Sequence, residues 1–444
     1  MKKLKFGLVS LGCDKNRVDS EIIIGKLSKG NILTNNPEEA DVILVNTCGF
    51  IESSKQESID TILEMAEYKK KNCKVLAVTG CLSQRYGAKL EELLPEVDVF
   101  LGVNNYEKLE AAIEKAMKKE EKTIACEYSN VVINEGDRVL TTPAHYAYLR
   151  IAEGCSNFCT YCAIPRIRGK YRSRKMEDIL AEANELANRG VKELIIVAQD
   201  TTRYGTDIYN KVMLPELIQN ISKIESIEWI RVLYCYPEEL TEEIIDEIAS
   251  NPKVCKYLDI PIQHISDNVL KKMGRRGRKE EIVNVLKSLR NKIPNMVLRT
   301  SIIVGFPGET DEDFNELKDF VKEIKFNNLG VFKYSQEEDT PAATMENQIP
   351  FEIKCTREEE LMLIQKEISK EINESKVGNI YNVIVEKFNG EYYIGRNYEM
   401  TPEIDGEIYF KCDRILDIGK TVSVKITESL EYDLIGVVCH ELSK

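Results

Sequence analysis

The chain has 444 residues, of which 43% are hydrophobic and 30% charged, and its formal net charge is −13. At ~150 residues per domain, this length implies about three ordinary globular domains. The acidic balance argues against a protein that grips nucleic acid mainly through phosphates, and only three His (His145, His264, His440) argue against a multi-His metal centre.

No apolar run approaches the ~18 residues of a membrane span, so no membrane association is expected. Met1-Lys2-Lys3 followed by Phe6 to Leu11 has the order of a signal peptide, but the apolar part is short and Asp14, Lys15 and Arg17 follow at once. A first strand is the better reading. Thirteen Cys is an odd count with no regular framework. A chain this long does not need disulfide staples, so reduced thiols in the cytoplasm are expected.

Residues 1–125 alternate short β-branched runs with helix-patterned segments. The strand candidates are Lys5–Leu11, Asp41–Asn46 and Lys74–Thr79. Within Lys55–Lys69, Ile59, Ile62, Leu63 and Ala66 are spaced for one helical face. Such alternation predicts a doubly wound parallel sheet. Cys13, Cys48 and Cys81 each lie just past one of these strands, each beside a Gly that permits a tight turn. The C-terminal strand ends of a parallel sheet share one edge, so three such Cys can converge. A shared metal site and three ordinary buried thiols both fit that placement.

Residues 140–376 repeat the logic on a larger scale. The strand candidates are Tyr146–Ile151, Glu193–Ala198, Ile230–Leu233, Tyr257–Ile260, Val297–Val304 and Leu329–Phe332, with helices such as Met176–Arg189 and Thr310–Ile324 between them. Six βα units predict a partial (β/α) barrel with its site at the C-terminal strand ends. After the first of these strands comes Glu-Gly-Cys155-Ser-Asn-Phe-Cys159-Thr-Tyr161-Cys162, a CxxxCxxC spacing. Three thiolates this close can hold one inorganic centre. A closed site takes four protein ligands, so three leave a position open, unless a distant fourth ligand completes a zinc knuckle. The other seven Cys lie singly, and core packing accounts for them.

Further candidates lie at the same rim. Gln199-Asp200-Thr201-Thr202 follows a strand, as cofactor or substrate contacts or as a helix N-cap. Gly305 and Phe306 lie in Ile302–Thr310, where Thr310 also suits a helix cap. Tyr334, Ser335 and His264 are weaker candidates. Two basic runs stand out: Arg166, Arg168, Lys170, Arg172, Arg174 and Lys175, then Lys271, Lys272, Arg275, Arg276, Arg278 and Lys279. Each suits either a solvated face or contact with a cofactor carboxylate, RNA or an acidic substrate.

Residues 377–444 change to strand alternation, with candidates at Tyr381–Glu386, Tyr392–Ile394, Glu407–Phe410, Thr421–Ile426 and Leu434–Val438. Five short strands predict a small antiparallel β-barrel. This segment carries 12 Asp and Glu against 7 Lys and Arg. An acidic module suits a basic protein partner better than RNA, and it also suits a plain solubilising surface.

CxxxCxxC with Tyr161 before its last Cys, after the first strand of a (β/α) barrel, resembles the radical S-adenosylmethionine enzymes. The upstream Cys triplet resembles their methylthiotransferase branch, and the C-terminal module resembles a TRAM domain. Ser10–Glu21, Asn46–Ile51 and the Pro402–Gly406 turn resemble the group that methylthiolates an aspartate of small-subunit ribosomal protein twelve, more than the group that modifies tRNA adenosine. The resemblance implies three domains: a methylthiotransferase N-terminal domain (1–125), a radical S-adenosylmethionine barrel (140–376) and a TRAM domain (377–444). It also implies two [4Fe-4S] clusters, one on Cys13, Cys48 and Cys81, the other on Cys155, Cys159 and Cys162 with S-adenosyl-L-methionine on its open iron. Tyr161, Gln199, Asp200, Gly305 and Phe306 become cofactor contacts, and no side-chain acid or base is assigned. The implied partners are that ribosomal protein and an electron donor such as flavodoxin or ferredoxin, and tRNA is not expected among them. The two Cys triplets are then expected to face one cavity, with the N-terminal domain over the barrel mouth.

Overall fold

The computed structural model describes residues 3–120 and 122–439. Met1, Lys2, Glu121, His440 and the last four residues lie outside the described residues, and with them the extreme ends of the expected first and third domains.

The first sheet contains β1 (Lys5–Ser10), β2 (Ile32–Leu33), β3 (Val42–Thr47), β4 (Val75–Gly80), β5 (Val99–Leu101) and β6 (Thr123–Ala125), in the order β2-β1-β3-β4-β5-β6, all parallel. The three longer strands are those the sequence marks; β2, β5 and β6 are too short to give an apolar run. Helices α1 (Asp14–Ser28), α2 (Glu52–Ala66) and α3 (Cys81–Leu93) start just beyond β1, β3 and β4. The strand order reverses between β1 and β3, the point where such sheets open a binding crevice.

The second sheet is built from β7 (Tyr146–Arg150), β10 (Glu193–Val197), β11 (Trp229–Val232), β12 (Val254–Asp259), β13 (Val297–Val304) and β14 (Asn328–Lys333). Its order is β14-β13-β12-β11-β10-β7, all parallel, with β14 and β7 left as edges, so the barrel is partial. Two short strands, β8 (Ala152–Glu153) and β9 (Arg172–Ser173), flank the Cys155–Cys162 loop and pair antiparallel. Outward residues such as Leu149, Leu194, Ile196 and Leu258 pack under the surrounding helices in the largest core. The alternate residues Tyr146, Tyr148, Ile195, Val197, Leu233, Cys255 and Tyr257 face the concave side, where Val18 and Ile22 of α1 join them.

Helix Phe351–Lys376 leads to β15 (Ile380–Phe388), β16 (Tyr393–Arg396), β17 (Ile408–Lys411), β18 (Thr421–Ser429) and β19 (Leu434–Val438), which close into a barrel. One pairing departs from the expected antiparallel pattern: β17 and β19 run parallel. The long connection from Lys411 to Thr421 lets β18 enter between β15 and β19, so β17 and β19 meet in the same direction.

The C-terminal barrel seals the lower end of the partial barrel. Glu193 accepts from Arg231 (2.7 Å) and from Arg396 of β16 (2.8 Å). The Tyr257 hydroxyl donates to Asp405 at 2.7 Å, and Arg17 of α1 pairs with Glu403 at 2.8 Å. Glu403 and Asp405 belong to the Pro402–Gly406 turn, so that sequence signature is the plug that joins all three sheets. Glu386 and Glu399 also bind cations, Arg396 and Lys376. Fewer of the module's acids therefore face outward than its sequence count suggests. Among the described residues, no helix is long and apolar enough to cross a membrane.

Candidate metal centres

The register of the first sheet sets the N-terminal triplet. Thr47 pairs with Gly80, so Cys48 and Cys81 leave adjacent strands side by side. Leu11 extends the β1–β3 ladder through its N–H to Asn46 O (2.9 Å), and Cys13 follows within two residues. A Cβ placed on Gly12 would lie 3.2 Å from Cys48 Sγ, so this turn passes directly over that thiol. Asn16 secures the edge by donating to Leu11 O (2.9 Å) and Thr47 O (2.8 Å). Ser58 of α2 brackets the Cys48 backbone, donating to its carbonyl at 2.8 Å and accepting from its N–H at 3.1 Å.

Gly80 has φ +98° and ψ −157°, a region that essentially only Gly occupies, and a Cβ there would lie 2.4 Å from Asn46 Oδ1. Gly80→Ala is expected to lower stability by about 1–3 kcal/mol and to displace Cys81. Thermal unfolding and the iron content of the N-terminal triplet would check this; a variant with unchanged iron and midpoint would contradict it.

The second triplet lies in the loop between β8 and the short helix Ile164–Ile167. The Asn157 and Ile164 N–H groups point at Cys155 Sγ (3.5 Å) and Cys162 Sγ (3.4 Å), and the Tyr236 hydroxyl lies 3.8 Å from Cys159 Sγ. Arg275 lies 4.3 Å over the Tyr236 ring. The first basic run divides: Arg168, Arg172 and Arg174 are buried while Arg166 and Lys170 are exposed, so it is not a uniformly solvated face.

The two loops meet. Cys81 packs with Val103, Ala163 and Ile167, and Ala163 directly follows Cys162. Arg168 contacts Asn16 Oδ1 (2.7 Å), Asp19 Oδ2 (2.9 Å) and Cys81 Sγ (3.7 Å) on one side and Glu153 Oε1 (3.1 Å) on the other. Arg150 completes this buried set, at 2.6 Å from Asp19 and 3.0 Å from Glu153. Two guanidinium groups thus balance two carboxylates. Burial pushes the Glu153 carboxyl up, but Arg168 and Arg150 outweigh it and hold the carboxyl down at about 2. Elsewhere on the rim, Tyr234 donates to Asp14 (3.2 Å), with Lys15 over its ring, and Glu337 pairs with Lys55 (3.1 Å) and Arg85 (2.9 Å). These partners all follow C-terminal strand ends, so the N-terminal domain lies across the mouth of the partial barrel.

The remaining candidates divide into three settings. Asp200 accepts from Asn157 of the cysteine loop (2.8 Å) and from Thr202 (2.6 Å), while Gln199 donates to Glu153 (3.3 Å) and leaves its buried Oε1 without a hydrogen-bond partner. No helix starts there, so the N-cap alternative does not apply. Tyr161, Phe306 and Tyr334 form an edge-on aromatic chain, with centroids 6.4 Å and 5.2 Å apart. Gly305 and Gly308 have positive φ, but Lys354 and Lys272 fill the space beside them. Thr310 caps helix Asp311–Ile324. Ser335 donates to Glu337 at 2.6 Å. His264 is fully buried and accepts from the Ser266 N–H (3.0 Å); burial lowers it to about 3, so it stays neutral and structural.

Sequence reasoning missed Asp19, Glu153, Tyr234 and Tyr236 at this site. Their only trace is position: Glu153, Tyr234 and Tyr236 lie close to a strand end or a triplet cysteine, and Asp19 lies in the helix that follows Cys13. Among the described residues, no group of three or more His, Cys, Asp or Glu is gathered as for a single metal ion. Soft thiol donors in threes, with N–H groups aimed at their sulfurs, suit an iron–sulfur centre, whose own bulk spaces its ligands. Burial pushes Cys81 up to about 12 and Cys155 up to about 11. Metal binding would take those protons and leave thiolates in place.

Three segments match known families: residues 149–321 the radical SAM superfamily, residues 5–102 the uncharacterized protein family UPF0004, and residues 377–439 the TRAM domain. The chain is 68% identical over its full length to the whole of a protein from Clostridium tetani named ribosomal protein uS12 methylthiotransferase RimO. It is 62% identical to one of the same name from Clostridium botulinum, again with both chains fully covered. The chain belongs to the RimO-type radical S-adenosylmethionine methylthiotransferases. Membership of this family implies a [4Fe-4S] cluster and S-adenosyl-L-methionine. The fold resembles the radical S-adenosylmethionine methyltransferase TsrM from Kitasatospora setae, with a TM-score of 0.56 at 13% identity, covering 86% of this chain and 81% of that one.

Proposed function

We propose that this methylthiotransferase acts in the cytoplasm on small-subunit ribosomal protein twelve, inserting a methylthio group at the β-carbon of an aspartate. Three domains would share the work: 1–125, 140–376 and 377–444. Cys155, Cys159 and Cys162 would hold one [4Fe-4S] cluster with S-adenosyl-L-methionine, and Cys13, Cys48 and Cys81 a second. The observation that carries the reading is the meeting of two cysteine loops across one interface at the barrel mouth. A carbon with no activating group needs a hydrogen-abstracting radical and a nearby sulfur source, which the bound clusters and cofactor would supply.

The chain's own residues prepare that space. Asp200 holds Asn157 and so the Cys155–Cys159 turn. Gln199 offers an unpartnered buried acceptor suited to the cofactor's ammonium group. Tyr161 and Phe306 give an apolar wall that keeps water from a reactive intermediate. Gly305 lies in the same segment as Phe306. An electron would come from a small carrier such as flavodoxin or ferredoxin.

A digest of the ribosomal protein from cells lacking this gene tests the substrate. The aspartate is expected to lose its methylthio group entirely while tRNA adenosines keep theirs. A mark persisting on the protein, or lost from tRNA instead, would favour the tRNA-modifying alternative.

A further inference from the structure

We propose that Arg168 is a positioning residue that fixes the spacing of the two cysteine loops and poises the N-terminal centre for reduction. The inference rests on the two-cluster reading and concerns a residue outside both cysteine triplets.

Arg168 is 1% exposed and lies six residues after Cys162. Its guanidinium reaches out of the barrel into the N-terminal domain. There, Nη2 meets Asn16 Oδ1 at 2.7 Å, Asp19 Oδ2 at 2.9 Å and Cys81 Sγ at 3.7 Å. Asn16 is the residue that ties the loop before Cys13 to the end of β3 before Cys48. One planar side chain therefore touches Cys81 directly and the other two cysteines' supports through Asn16. Its Nη1 is held at 3.1 Å by Glu153, two residues before Cys155. A rigid fork suits this double duty better than the single point of an ammonium.

The charge has its own effect. A cation against a cluster sulfur favours the state with one more electron. Asp19 lies against the same nitrogen as Cys81 and Glu153 against the other, so removing the guanidinium leaves two carboxylates near the centre with Arg150 as their remaining ion-pair partner. Both changes make reduction harder. At this range the expected shift in the reduction equilibrium is at least about tenfold, ~59 mV downward for a one-electron couple.

The test uses the full chain carrying Cys155→Ala, Cys159→Ala and Cys162→Ala, so that only the N-terminal triplet loads. Its midpoint potential is read by spectroscopic redox titration with Arg168 intact, with Arg168→Gln and with Arg168→Lys. The Gln variant is expected to fall by the tenfold equivalent and the Lys variant to stay near the parent. In protein with all six cysteines, magnetic coupling between the two reduced clusters is expected to spread over a wider range of distances in both variants, because neither keeps the fork. A potential held by Lys while the spacing broadens is a split that a purely structural role does not give. An unchanged potential in a loaded Gln variant would overturn the proposal, as would a Lys variant that falls as far as Gln. If the Gln variant does not load, the Lys variant decides alone by the same two readouts. If the parent triplet holds no iron, the two-cluster reading itself fails, and that is seen before any Arg168 variant is measured.

Discussion

Cys155→Ala is expected to reduce S-adenosylmethionine cleavage to background, a loss of at least ~10³-fold, while iron remains on the N-terminal triplet. Cys155 is buried and receives the Asn157 N–H at 3.5 Å, in a turn held from outside by Asp200. Truncation removes one of three local thiols. The carboxylates nearest this loop are already engaged. Asp200 is occupied by Asn157 and Thr202, and Glu153 by Arg150 and Arg168. Chromatographic counting of 5′-deoxyadenosine from the reduced protein would check this. Cleavage within tenfold of wild type would mean that the loop does not hold the cofactor's iron.

Glu193→Ala is expected to produce the largest loss of stability from a single change outside the cysteine sites, about 3–5 kcal/mol. Glu193 is fully buried, with Arg231 of β11 on one oxygen and Arg396 of the C-terminal barrel on the other. Removing the carboxylate leaves two buried guanidinium groups facing one another. Arg396 keeps its ion pair with Glu386, but Arg231 loses its salt bridge and keeps the Tyr398 carbonyl and the Tyr257 ring. The C-terminal barrel should therefore release first, read as proteolytic cleavage near Val377–Gly378 and a lower unfolding midpoint. A change below ~0.5 kcal/mol would place this network among the energetically silent pairs.

The same network sets an acid limit. Burial pushes the Glu193 carboxyl up, but Arg396 and Arg231 outweigh it, so its folded value lies below the ordinary 4.5. A depressed carboxyl contributes stability that is present above the unfolded value and lost as pH falls through the folded one. Docking of the C-terminal barrel is thus expected to hold at neutral pH and to weaken below pH ~4.5. The Glu193→Ala variant should lose part of that acid dependence.

Much of this architecture is legible in the sequence because the relevant signals are local. Val42–Val45 and Val75–Thr79 are unbroken runs of apolar or β-branched residues, as fully buried parallel strands require. Cys48 and Cys81 follow them immediately, so the shared strand edge brings together thiols far apart in sequence. The Cys155–Cys162 spacing is legible on its face. What escaped reading is what depends on pairing across the chain. Arg168 sits in a run that suits a solvated face as well as a contact with a cofactor, RNA or an acidic substrate, and only its buried contacts with Asn16, Asp19, Cys81 and Glu153 separate it from exposed Arg166. The Pro402–Gly406 turn is recognisable as a motif, yet nothing local shows that Glu403 and Asp405 reach Arg17 and Tyr257. Gly305 is expected as a cofactor contact, with room beside it. Lys354 fills that room from an element distant in sequence, as Lys272 does beside Gly308.

In the proposed arrangement, two separate thiol triplets each hold a four-iron cluster at one interface. Iron and sulfide content of anaerobically purified protein tests it most directly, in wild type and in the Cys13→Ala and Cys155→Ala variants. About eight irons per chain are expected, falling to about four in each variant. A wild-type maximum of about four irons would contradict the account.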